Sequence, residues 1–217
     1  MVTTTGLAPH AGQPVLEAGA PLGQAPGAVI MLHGRGAGPY DILNLAPVLD
    51  RPHLTYLAPT AANHTWYPHS FLADIPANQP GLSSALSVVA SLVASLEAAG
   101  VPRTRIALLG FSQGACLASE FVVRHPARFG GLVVFSGGVI GPPGTRWDAP
   151  GTLDGTPAFV GCSNVDNHVP ETRVRETADV LTRMGADVTL RIYPGMGHTI
   201  NDDEIGHAQR LLDRIAG

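Results

Sequence analysis

Apolar residues along this chain fall into short continuous runs separated by glycine- and proline-rich turns. Five such runs read as strands: Ala28–Leu32, Leu54–Ala58, Arg105–Leu109, Gly131–Ser136 and Pro157–Gly161. A run with almost no polar interruption marks a strand buried on both faces. Asp187–Tyr193 reads as a last strand, alternating in its first half, and Val15–Ala18 as an edge strand. Between the strands the spacing becomes helical. Leu82, Leu86, Val89, Val93 and Leu96 share one face, and Gly100 supplies the stop. Val174, Ala178, Leu181 and Met184 mark a second helix, ended by Gly185. Ile205, Ala208, Leu212 and Ile215 mark a third, with Asn201 as its cap and Glu204 reaching back. Tyr40–Leu49 is helical in pattern, kinked or split by Pro47. Strands alternating with helices imply an α/β fold, a mainly parallel twisted sheet with helices on both faces. At 217 residues, with no internal repeat, the chain suits a single domain over residues 1–217.

Two stretches escape this pattern. Residues 60–81 and 139–156 are irregular and rich in proline, and segments of this length are usually functional or mobile. The first carries Trp66, Tyr67 and Phe71. Large rings on a polar loop either wall a substrate pocket or fold back to bury one another.

Composition narrows the function. A net charge of −4 without a basic cluster argues against nucleic acid as a partner. All 13 basic residues are arginine, which excludes a phosphate-loop lysine and a lysine Schiff base. The first residues do not read as a signal peptide, and no stretch reads as a membrane span, so no membrane insertion is expected. Cys116 and Cys162 form no metal or redox spacing and read as buried thiols of a cytoplasmic protein.

The central run leads into Gly110-Phe111-Ser112-Gln113-Gly114, and a helix-like run follows from Ala115 to Val123. A serine between a buried strand and a helix sits on a sharp turn that lifts its hydroxyl above the sheet edge. The pattern G-x-S-x-G is weak alone and specific in this strand–turn–helix context. Sites of parallel α/β sheets lie beyond the carboxyl ends of the strands. Those ends carry His33–Gly38, Ser112, Asp166 and Gly197-His198. The order Ser, Asp, His is the one expected of an α/β-hydrolase, with His198 as base and Asp166 orienting it. Backbone N–H groups of Arg35 and Gln113 are the candidate oxyanion donors. His33, His64, His69 and His168 are rival histidines; His64 and His69 lack a metal-ligand pattern.

Taken together, Leu32-His33-Gly34-Arg35-Gly36, Trp66, the Ser112 pentapeptide, Asp166 with Val169-Pro170, and Gly197-His198 resemble the acyl-protein thioesterase and bacterial carboxylesterase family of α/β-hydrolases. The resemblance spans nearly the whole chain. It implies a compact hydrolase without a large lid domain, using no cofactor and acting on a small-molecule ester. It also implies triad roles for Ser112, Asp166 and His198, and oxyanion positions at Arg35 and Gln113. Trp66 and His33 are the expected substrate-binding residues. The chain departs from the family at Cys162-Ser163-Asn164, at Asn167, at Pro68 and at Arg35, where an aliphatic residue is common. Those departures surround the pocket and bear on the substrate. The leading expectation is a serine esterase for short or medium acyl or aryl esters. An acyl thioesterase or lysophospholipase, and a non-catalytic ligand-binding homologue, are the alternatives. A homodimer is left open.

Overall fold

The computed structural model describes residues 2–217. Eight strands form one sheet in the order β1-β2-β4-β3-β5-β6-β7-β8. They are β1 (Val2–Thr3), β2 (Pro14–Gly19), β3 (Ala28–Leu32), β4 (Thr55–Pro59), β5 (Ile106–Phe111), β6 (Gly131–Phe135), β7 (Pro157–Ser163) and β8 (Asp187–Tyr193). Strands β3 to β8 pair in parallel, and β1 and β2 add antiparallel at one side. The run around Val15 is therefore not the edge. The two-residue β1 lies outside it, too short to leave a hydrophobic signature.

The continuous apolar runs have the predicted cause. In β3, Ile30 and Leu32 enter one core, while Val29 and Met31 enter the other. Successive side chains of a strand point to opposite faces, so a sheet covered on both sides needs apolar residues at every position. One face is covered by α3 (Gly81–Ala98), α4 (Gln113–Arg124) and α5 (Glu171–Arg183). The other is covered by α1 (Pro39–Leu43), α2 (Leu45–Leu49) and α6 (Asp202–Ala216). The segment before Leu49 breaks at Asn44. Pro47 has no N–H to give the carbonyl four residues back, and the helix restarts rather than continues.

Helix α3 corrects one expectation. Its 18 residues reach a mean hydropathy of 1.5, as long and apolar as a membrane-crossing helix. Leu82, Val89, Val93 and Leu96 are buried in the core against the sheet, so its hydropathy is that of a core helix.

Helix α4 lies unusually close to β3 and β5. A Cβ at Gly114 would land on the Leu32 carbonyl, and one at Gly110 on the Gly114 backbone. Neither obstacle is a flexible side chain, so the sheet or helix would have to shift. Gly114→Ala is expected to lower the unfolding free energy by about 2–3 kcal/mol, in line with overpacked cores. Gly197→Ala, where a Cβ meets nothing within 4 Å, should stay within about 0.5 kcal/mol of the parent. Urea denaturation of the three proteins measures the contrast.

Candidate active site

Ser112 stands between β5 and α4 with φ 56° and ψ −120°, a left-handed conformation that a non-glycine residue adopts only under constraint. The constraint is bonded in place: Ser112 N–H donates to the Phe135 carbonyl at 2.9 Å, and Cys116 N–H to the Ser112 carbonyl at 3.0 Å. The turn leaves the Ser112 hydroxyl 2.9 Å from Nε2 of His198. His198 Nδ1 lies 2.7 Å from Oδ2 of Asp166. Three residues from three strand ends thus form one hydrogen-bonded line.

Asp166 sets the direction of that line. Its side chain is fully buried. Burial pushes its carboxyl up, but hydrogen bonds from His198 and from the His168 and Val169 backbone N–H groups outweigh this and hold it below the ordinary value. Those two N–H groups meet Oδ1 at 2.8 and 3.0 Å. An ionised carboxylate only accepts, so Nδ1 of His198 donates to it, and Nε2 of the neutral ring is left to accept from the serine hydroxyl. Cys162 adds a weaker donor, its Sγ 3.6 Å from Oδ2. Burial, with Asp166 beside it, pushes that thiol up to about 12, so it stays protonated. Phe111 packs on His198 with ring centroids 4.8 Å apart.

Beside Ser112, the backbone N–H groups of Arg35 and Gln113 have no partner among the described residues. Gln113 begins α4, where N–H groups are left over by helix geometry. Gly34 abuts the Ser112 Cβ, so the turn after β3 touches the elbow directly. A cavity of about 490 Å³ opens onto Ser112 and His198. Its apolar wall is Tyr67, Phe71, Phe111 and Val169, and Arg35, His69 and His168 are exposed around it. A larger cleft of about 890 Å³, between residues 143–148 and α5, contains neither Ser112 nor His198.

The two expected substrate-binding side chains lie elsewhere. Trp66 and His33 are both fully buried behind the cavity wall. Trp66 Nε1 donates to the His33 carbonyl at 2.9 Å, and their rings sit 4.9 Å apart. His33 Nε2 accepts from Ala61 N–H at 3.1 Å, so Nδ1 carries the proton and donates to the Gly34 carbonyl at 2.8 Å. Burial lowers its pKa and keeps the ring neutral. Both residues brace the loop instead of lining the cavity, because their polar atoms are spent on backbone. The rings of residues 60–81 divide between the two readings open in sequence: Trp66 is internal, while Tyr67 and Phe71 are buried and also form wall.

Sequence reasoning missed the braces. The Gln113 side chain accepts from Trp66 N–H at 2.9 Å and donates to the Tyr67 carbonyl at 2.8 Å. His10 donates from Nε2 to the Trp66 carbonyl and accepts at Nδ1 from Ala62 N–H. Their partners are backbone atoms distant in sequence, which leave no side-chain pattern to read. Arg35 is resolved similarly: its guanidinium donates to the Pro68 and His69 carbonyls at 2.8 and 2.6 Å.

The sheet order and the placement of Ser112 on a strand–helix elbow define an α/β-hydrolase. A profile of the phospholipase/carboxylesterase family matches residues 15–215, and the chain belongs to that family. Membership makes it a hydrolase of the carboxylesterase class. The crystal structure of a phospholipase/carboxylesterase from Dyadobacter fermentans superposes with a TM-score of 0.88 at 40% identity, covering 100% of this chain and 99% of that one. Acyl-protein thioesterase 1 of Eremothecium gossypii is 30% identical over 153 residues, which are 66% of this chain and 63% of that protein. Lysophospholipase-like protein 1 of Mus musculus is 24% identical over 216 residues, covering 91% and 90% of the two chains.

The segment carrying His198 is anchored by Asn201 and Glu204, whose side chains cap each other's backbone N–H at 3.0 Å. Glu204 is fully buried and its Oε1 has no partner. Burial pushes its carboxyl up to about 7 from 4.5. Between those values the folded chain holds a proton that the unfolded chain has released, so stability falls as pH rises through the window. Glu204→Gln keeps the cap without the charge. It should match the parent at about pH 4 and exceed it by about 2 kcal/mol at about pH 8, read from urea unfolding at the two pH values.

Proposed function

We propose that this chain is a serine carboxylic ester hydrolase acting through an acyl-enzyme. The observation that carries the reading is the line Ser112–His198–Asp166, with hydrogen bonds of 2.9 and 2.7 Å. His198 Nε2 takes the hydroxyl proton as Ser112 Oγ bonds to the ester carbonyl carbon. The carbonyl oxygen becomes an anion beside the unpaired N–H groups of Arg35 and Gln113, and each such donor is worth about 10²–10³ in rate. Collapse breaks the bond to the alcohol, which leaves with the proton from His198. Water then repeats the sequence on the acyl group and frees Ser112. Asp166 orients the ring and stabilises its charged form throughout.

The cavity of about 490 Å³ accommodates short or medium acyl or aryl esters. Its wall of Tyr67, Phe71, Phe111 and Val169 supports an apolar acyl group there. Thioesters are the second reading, favoured by the relative named acyl-protein thioesterase 1; the same attack on carbon serves both.

A fluorophosphonate probe should label the protein, and Ser112→Ala should abolish labelling. The same variant should fold normally and lose about 10⁶ in kcat on 4-nitrophenyl butyrate, as removal of a triad serine does. Labelling or substantial turnover surviving in Ser112→Ala would overturn the assignment.

A further inference from the structure

The chain is acidic overall, at −4, yet none of its 17 carboxylates lines the cavity. The lining instead carries Arg35, His69, His168 and His198. Acids near the lining are occupied. Glu120, buried behind Tyr67 and Cys116, accepts from Arg124, Ile140 N–H and Trp147. Asp166 is buried and already accepts from His198, His168 and Val169. Asp41 borders a separate hollow of about 110 Å³ beyond Ala37 and accepts from Gly38 N–H. A cavity with one fixed positive charge and no negative lining favours an anion.

Arg35 is held where such an anion would arrive. Two of its five N–H bonds go to the Pro68 and His69 carbonyls, leaving three. The guanidinium also sits 5.9 Å from the Tyr67 ring centroid. These anchors fix a long side chain that would otherwise sample many rotamers, so an arriving partner meets an ordered fork. The backbone N–H of this residue lies beside the reacting serine. The charge therefore belongs to a residue that lines the same cavity as Ser112.

We propose that this site selects esters whose acyl part ends in a carboxylate, such as half-esters of short dicarboxylic acids, and that Arg35 is the residue that reads the charge. The proposal rests on the esterase reading of Ser112. A carboxylate fits the guanidinium fork better than a spherical anion does, because the paired N–H and O geometries match. His168, its ring 4.7 Å from that of His198, and His69 place two more N–H donors around the same opening.

The test compares 4-nitrophenyl hydrogen glutarate with its carboxamide analogue, which has the same shape and no charge. At low salt, kcat/KM should favour the acid by about tenfold, the scale of one partly exposed charge-assisted hydrogen bond. High salt should shrink the ratio. Arg35→Gln should bring it close to one and Arg35→Lys should retain part of it. Loss of the loop anchors slows both substrates alike, so the ratio isolates the charge. Equal rates for the two esters in the parent, or an unchanged ratio in Arg35→Gln, would overturn the proposal. Calorimetric binding of both esters to Ser112→Ala reads the preference without turnover. Tighter binding of the acid with no hydrolysis by the parent would count against the esterase reading alone; equal binding would overturn the anion preference.

Discussion

The close approach of α4 to β3 and β5 is the constraint on which the rest of the structure depends. Gly110 and Gly114 have no side chains, so the helix can begin immediately above the sheet. That leaves Ser112 no relaxed conformation, and its φ of 56° follows from the space available. The same approach brings the turn after β3 against the Ser112 Cβ. The backbone N–H groups of Arg35 and Gln113, which follow Gly34 and Ser112 in the two touching turns, have no partner among the described residues. Packing at two glycines therefore sets both the strained serine and its polar surroundings. The strain is sustained by the core on both faces of the sheet.

Electrostatics then gives the site its polarity. Asp166 is buried, which by itself would favour its neutral form, yet two backbone N–H groups and an imidazole hold it ionised. Once it is charged, the tautomer of His198 follows. Elsewhere in the fold the opposite balance holds. Glu204 has one oxygen satisfied and one bare, and burial wins. The two carboxyls differ in how many donors reach them, and that decides which is held below the ordinary carboxyl value and which above it.

Much of this was legible in the residues. Strands buried on both faces announce themselves as unbroken apolar runs, and five of the six parallel strands fell where those runs stood; β8, less buried, showed only a partial alternation. The line of Ser112, Asp166 and His198 could be proposed because strand-end chemistry follows chain order. What escaped had a common physical basis. Trp66, His33, His10 and the Gln113 amide each spend at least one polar atom on a main-chain group distant in sequence. Main chain is the same for every residue, so nothing in the spelling marks those partners. The outer strand β1 escaped because two residues carry no periodicity.

His10 has a practical side. Its ring ties the segment ahead of β2 to Ala62 and Trp66, at the root of the loop that walls the cavity. Residues ahead of the first long strand thus serve as a strut for the Ser112 cavity, which they do not line. Trimming them to tidy an expression plasmid would loosen that wall, and a drop in turnover could then be misread as damage to the chemistry itself.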